Sequence, residues 1–154
     1  MSYRLHMGCF ACLGLAIALC IPQEALAVGS GSISPPAAPR SAEVEYNKGL
    51  EAKSAKRFSE AVADFRRAVD IRPNFPEAWN ELGFALRQTG QFTDALKAYE
   101  QALRLRPEFP EALEYLGEAY VKMGRLEDAR EILLRLSSMD PARARELEEA
   151  IQTM

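Results

Sequence analysis

From Ala42 onward the apolar positions of the chain recur at helical spacing, and they do so in blocks that repeat. In the stretch Pro76 to Pro107, Trp79, Leu82, Gly83 and Leu86 fall on one face of a first predicted helix. Ala95, Tyr99 and Ala102 fall on one face of a second. Gly90-Gln91-Phe92 separates the two, and Pro107 closes the pair. Copies of this pattern lie 34 residues to either side. Gly83 aligns with Gly49 and Gly117, Ala95 with Ala61 and Ala129, Tyr99 with Phe65 and Leu133, and Ala102 with Ala68 and Leu136. A fixed period of this size marks a stack of like units, each burying its apolar face on the next. The prediction is an all-α solenoid of three helical hairpins over 42–75, 76–109 and 110–143.

The recurring residue types have physical reasons. A glycine inside a helix costs about 1 kcal/mol against alanine, so Gly49, Gly83 and Gly117 mark places where helices come close, with Ala61, Ala95 and Ala129 as the expected opposing surface. Pro73, Pro107 and Pro141 end the second helix of each pair, because proline lacks the amide and clashes with the preceding turn. Gly90 and Gly124 suit the left-handed residue after a first helix, whereas the first hairpin turns through Lys56-Arg57-Phe58 without a glycine. Trp79 is expected in the core. The first repeat has Glu45 and Lys48 where the second has Trp79 and Leu82, and both are expected to face water at an exposed end of the stack. At the other end, Asp140-Pro141 is a helix start signal. Ala144, Leu147 and Ile151 then line one face of a seventh helix over 141–152 that caps the last hairpin.

These residues resemble the tetratricopeptide repeat (TPR) family, whose pattern W-x2-L-G-x2-Y, A-x3-F-x2-A, P is met almost throughout by Trp79, Leu82, Gly83, Leu86, Ala95, Tyr99, Ala102 and Pro107. The resemblance runs from Ala42 to the C-terminus, in strict register and without insertion. It implies a right-handed solenoid whose first helices line a concave groove that holds an extended peptide or a partner's helix. Placed by register, the groove residues are Tyr46 and Leu50, then Glu77, Asn80, Phe84 and Arg87, then Glu111, Glu114 and Glu118, with Glu43, Lys53 and Lys122 on the same rows. Tyr46, Leu50 and Phe84 form an apolar patch suited to anchoring a side chain. Glu43, Glu77 and Glu111 recur at one position and have two readings: a rim that prefers a basic ligand segment, or first-turn acids that complement the helix dipole. Chaperone-binding members of the family grip a C-terminal carboxylate with lysines, asparagines and an arginine. The corresponding positions here are Tyr46, Leu50, Glu81, Glu111 and Tyr115, and none matches.

Composition narrows the function further. A net charge of −3 argues against a general nucleic-acid binder, which needs a basic surface to displace counterions. Residues 1–27 carry an early Arg4, an apolar run from Met7 to Ile21, a break at Pro22 and an Ala25-Leu26-Ala27 site, the order of a secretory signal cleaved after Ala27. The alternative is a retained membrane anchor, for which the run is short and interrupted by glycine. Residues 28–41, rich in Gly, Ser, Pro and Ala, read as a flexible linker. All three cysteines and the one histidine lie before Val28, so the remainder has no thiolate, no histidine base and no soft-ligand metal site. No catalytic residue, metal or cofactor is expected. The expected function is an exported, non-catalytic module that binds a protein or peptide segment, a basic one if the acid row acts as a rim, as an adaptor or assembly factor of the cell envelope. The rival is a scaffold that associates with its own copies.

Overall fold

The computed structural model describes residues 41–154. The leader expected over 1–27, and all of the expected linker except Ser41, lie outside the described residues. Within them the chain forms α1 (Ala42–Ser54), α2 (Phe58–Ile71), α3 (Pro76–Gln88), α4 (Phe92–Leu105), α5 (Pro110–Lys122), α6 (Leu126–Ser137) and α7 (Pro141–Gln152), with no strand. Each helix packs on the next in chain order, and α7 packs on both α5 and α6. No helix among the described residues is long and apolar enough to cross a membrane.

Local chemistry sets the helix ends. Ser41 caps α1, its hydroxyl accepting from the Val44 amide at 3.2 Å. Pro76, Pro110 and Pro141 open α3, α5 and α7 at a position where a missing amide costs nothing. Asp140 caps α7, its Oδ1 accepting from the amides of Ala142 at 3.1 Å and Arg143 at 3.2 Å. The three hairpin turns are one motif. Arg57, Gln91 and Arg125 donate their amides back to the carbonyls of Ala52, Leu86 and Tyr120 at 2.8, 2.9 and 2.9 Å. The residue before each donor is left-handed: Gly90 (φ 78°), Gly124 (φ 72°) and, in the first repeat, Lys56 (φ 57°). Lys56 holds this conformation at a cost of about 1–2 kcal/mol that the glycines avoid.

The core is the row predicted from the repeat. Ala61, Phe65, Ala68, Ala95, Tyr99, Ala102, Ala129 and Leu136 are fully buried. Gly49 and Gly83, however, meet rings first and not the opposing alanines. A Cβ on Gly49 would lie within 3 Å of the Phe65 ring, and one on Gly83 within 3 Å of the Tyr99 ring. In the third repeat Leu133 does not fill that slot; Leu147 of α7 does, and a Cβ on Gly117 would meet it at 2.5 Å. The capping helix therefore completes the last hairpin's core as well as covering it.

Two expectations are corrected. Trp79 is only partly buried: it lies at an inter-repeat crevice on the outer face, with its Nε1–H donating to the Pro73 carbonyl at 2.8 Å. Leu113, at the same repeat position, is fully buried. Glu45 does not face water. It is 1 % exposed and accepts from Lys48 Nζ at 2.8 Å and Arg67 Nε at 2.6 Å. Lys48 is exposed as expected.

Candidate functional site: a groove lined by the first helices

The inner surfaces of α1, α3 and α5 carry the residues assigned to the groove. Side chains three and four apart share a helix face, so Glu77, Asn80, Phe84 and Arg87 form one stripe on α3. α3 contacts both α1, which carries Tyr46 and Leu50, and α5, which carries Glu111, Glu114 and Glu118. The structure joins these stripes through aromatic contacts. Tyr46 meets Phe75 with ring centroids 4.8 Å apart, and Phe84 meets Tyr115 at 5.4 Å. Phe84 also approaches Phe58 edge-on at 6.2 Å.

Leu50, Phe58 and Phe84, with Lys53, Ser54 and Lys56, enclose an open pocket of about 340 Å³ where the last turn of α1 faces α3. Its wall is apolar and its rim carries two lysines. Lys53 Nζ sits 4.5 Å from the Phe84 centroid, a cation–π contact, and bonds Glu81 at 2.6 Å. Phe58, which the sequence places only in the first hairpin turn, is a wall of this pocket. Two indentations on the outer face, around Leu82 with Leu86 and around Leu116 with Tyr120, are larger. They are the same crevice one repeat apart and follow from the stacking geometry.

The charges are more tightly paired than the sequence showed. Glu43 and Glu77 are held by Arg72 and Arg106, each an arginine 29 residues further on in the same repeat. The guanidinium of each also covers a ring, Arg72 on Phe75 at 3.7 Å and Arg106 on Phe109 at 4.7 Å. In the third repeat Asp140 stands where the arginine would be, and Glu111 has no ion pair among the described residues. Arg87 forms an ion pair with Glu118 at 2.5 Å and lies 5.5 Å from the centroids of both Phe84 and Tyr115. Glu114 differs most from expectation. It is 5 % exposed and bound by Arg143 of α7, so it is part of the cap's docking and not a free groove acid. Asn80 is also buried, at 1 %, and its Oδ1 has no hydrogen-bond partner among the described residues.

The electrostatics of the groove's floor are acidic. Burial, helped by Glu81, Glu77 and Glu111, pushes the Tyr46 hydroxyl up to about 12. Burial with Glu111, Glu81 and Glu114 does the same to Tyr115. Burial also raises the Glu81 carboxyl, against the pull of Lys53. Both tyrosines are thus neutral donors across the ordinary pH range. No group of three or more His, Cys, Asp or Glu among the described residues is placed to hold a metal ion. The groove offers ring faces, hydroxyl donors, carboxylates and one apolar pocket.

Comparison with known proteins agrees with this architecture. A family model described as a tetratricopeptide repeat matches residues 86–151, and a second, described as a TPR repeat, matches residues 49–90. Similar solved structures include the first TPR domain of Spaghetti (RPAP3) bound to the HSP90 peptide SRMEEVD, at 23 % identity and a TM-score of 0.68 over 73 % of this chain and 91 % of that one. The Arabidopsis OM64 TPR domain is similar at 18 % identity and a TM-score of 0.70, covering 73 % of this chain and 95 % of that one. The TPR2B domain of yeast Sti1, in complex with pHsp70, is similar at 20 % identity and a TM-score of 0.68 over 72 % and 93 % of the two chains. No curated protein matches the chain. Both family models describe the same repeat, together they span residues 49–151, and the helical hairpins follow its period: the chain belongs to the tetratricopeptide repeat family.

Proposed function

We infer that this chain is a non-catalytic recognition module whose concave groove holds an extended segment of another protein. The pocket of Leu50, Phe58 and Phe84 carries this reading. It is an apolar depression, and it includes two of the groove residues that the repeat register picks out, Leu50 and Phe84. An apolar side chain of the bound segment enters it, and the rigid helices supply a preformed surface with no ordering cost to the protein. Two of the similar structures are complexes, one with an HSP90 peptide and one with pHsp70. The positions that would clamp a terminal carboxylate are Tyr46, Leu50, Glu81, Glu111 and Tyr115 here, so the ligand end or segment recognised is a different one. The acidic floor favours a segment with basic character. The leader-like residues 1–27 support export, and with it a role as adaptor or assembly factor of the cell envelope.

The test is capture of protein from an envelope fraction by the parent chain and by Phe84→Ala and Tyr46→Ala. Both variants are expected to lose most of the captured partner while keeping parental helicity by circular dichroism. Partner retention by both would place the binding surface elsewhere. Export predicts a mature N-terminus at Val28 by mass spectrometry. A scaffold reading is favoured by one feature, the apolar C-terminal edge. There Leu134 is 74 % exposed beside a depression of about 430 Å³ lined by Leu133 and Ile151. Light scattering decides it, since a monomer at all concentrations excludes self-association.

A further inference from the structure

The stack makes one outer-face crevice twice, between α2, α3 and α4 and again between α4, α5 and α6, but the two are lined by different chemistry. Tyr120 and Ile132 line the later one. One repeat earlier the same positions are the smaller Leu86 and Ala98, and the hollow there is larger, about 530 Å³ against about 440 Å³. Trp79, only partly buried, lies in its wall. The indole N–H is already bonded to the Pro73 carbonyl, so what the ring offers to a ligand is its apolar surface. An exposed apolar hollow with a polar rim is the form of a docking site. The rim also differs in sign. Glu100 and Glu131 line the later crevice where Arg66 and Lys97 line the earlier one. Lys97 is paired with Asp94 at 2.9 Å. Arg66 and Arg104 have no ion pair among the described residues, and Arg104 is bonded to the neutral Gln101. Two guanidiniums are thus left unanswered beside an open apolar hollow, in a chain whose net charge is −3.

We propose that the crevice of Trp79, Leu82, Leu86 and Ala98 is a second docking surface, for an acidic protein segment that inserts one apolar side chain and carries an Asp or Glu beside it. The apolar side chain covers the Trp79 ring and occupies the space that Ala98 leaves. The carboxylate accepts from the Arg66 or Arg104 guanidinium, whose planar fork suits two parallel hydrogen bonds to a carboxylate. The groove lies on the inner surfaces of α1, α3 and α5 and this crevice on the outer face, so the chain can hold two segments of opposite charge at once. The proposal does not depend on the groove reading, and either can fail alone.

Trp79 is the chain's one tryptophan and reports on its own crevice. The experiment titrates the full chain with two pools of synthetic octapeptides that hold a single Leu or Phe, flanked by Asp and Glu in one pool and by Lys and Arg in the other. The acidic pool is expected to shift Trp79 emission to the blue as water leaves the ring, and the basic pool to leave it unchanged. Arg66→Gln, a surface change that keeps parental helicity, should weaken the best acidic peptide about tenfold. Ala98→Ile, which gives the crevice the residue of the later one, should weaken it at least as much. Phe84→Ala should leave it unaltered, which separates this surface from the groove. The proposal is overturned if the acidic pool at about 1 mM leaves the emission unmoved, or if the peptides bind Arg66→Gln as well as they bind the parent. Binding that is lost in Phe84→Ala would overturn it too, by moving the acidic segment into the groove. A short oligothymidylate that shifts the emission and needs Arg66 would replace the protein segment with a nucleic acid.

Discussion

At one end of the stack α1 places Glu45 where the middle repeat has Trp79. At the other, α7 lays Leu147 into the slot that Phe65 and Tyr99 fill in the earlier hairpins. Both ends must finish a surface that inside the solenoid would be covered by another repeat. The N-terminal end finishes it with charge. Glu45 is enclosed by Lys48 and by Arg67 of α2, which also bonds Asp64. The buried positions of α1 are otherwise small, namely Ala42, Gly49 and Ala52, and the helix is barely amphipathic. The C-terminal end finishes it with an added helix that buries Ala144 and Leu147 and ties itself down through Arg143 and Glu114. The difference is one of where the stabilisation comes from. A buried leucine contributes by area and shape and is insensitive to pH, whereas a carboxylate between two cations depends on its ionisation.

The largest expected effect is at Leu147. Leu147→Ala removes a fully buried side chain and opens the space against Gly117, which should cost about 2–5 kcal/mol in urea unfolding. A loss below about 1 kcal/mol would mean that α7 is loosely docked and that the contrast between the ends is smaller than the packing implies.

A pair of glycine substitutions tests how rigid each end is. In Gly49→Ala the new methyl meets the Phe65 ring, which is fully buried and has no room to withdraw. Overpacking of about 1–3 kcal/mol should exceed the gain of about 1 kcal/mol in helix propensity, giving a net loss. In Gly117→Ala the methyl meets the end of Leu147, a flexible side chain on the terminal helix. The two terms should then nearly cancel, leaving stability within about 1 kcal/mol of the parent. Equal losses in the two variants, measured by denaturant unfolding, would show that α7 holds its position as firmly as an internal helix.

The repeat was legible because its signal is carried by side chains whose role is set within one hairpin or against the next in line. Gly83, Ala95, Tyr99 and Ala102 report their packing through size alone. The capping helix was legible for the same reason, from Asp140-Pro141 and the spacing of Ala144, Leu147 and Ile151. What the residue types did not reveal were contacts that join distant positions. The burial of Glu45 depends on Arg67, 22 residues away on α2. The withdrawal of Glu114 from the groove depends on Arg143 of the cap, 29 residues away. Trp79 carries the strongest motif identity yet is less buried than Leu113 at the same position, because the motif fixes the helix face and not the depth of the crevice beside it. Of the expected apolar patch, Leu50 and Phe84 line one pocket, whereas Tyr46 packs on Phe75. Phe58 and the acidic setting of the two tyrosines emerged only from the packed hairpins.

The smallest effect expected, and the one most specific to the N-terminal end, is a pH dependence. Hydrogen bonds from Arg67 and then Lys48 hold the Glu45 carboxyl at about 2, below its ordinary value of 4.5. The ionised form is therefore favoured in the folded chain, and its stabilisation is complete above the unfolded value. It is lost as pH falls from about 4.5 through about 2. Glu81 and Glu114 have raised values because burial disfavours their charge. They act in the opposite sense, taking up protons more readily when folded. Glu45→Gln keeps an acceptor for Arg67 but removes the charge. Its deficit in thermal midpoint relative to the parent should be constant from neutral pH to about 5 and should shrink between about 4.5 and 2. A deficit that stays constant to pH 2 would show that Glu45 closes its end of the solenoid by shape and hydrogen bonding, as Leu147 closes the other by packing, and that charge is not what distinguishes the two ends.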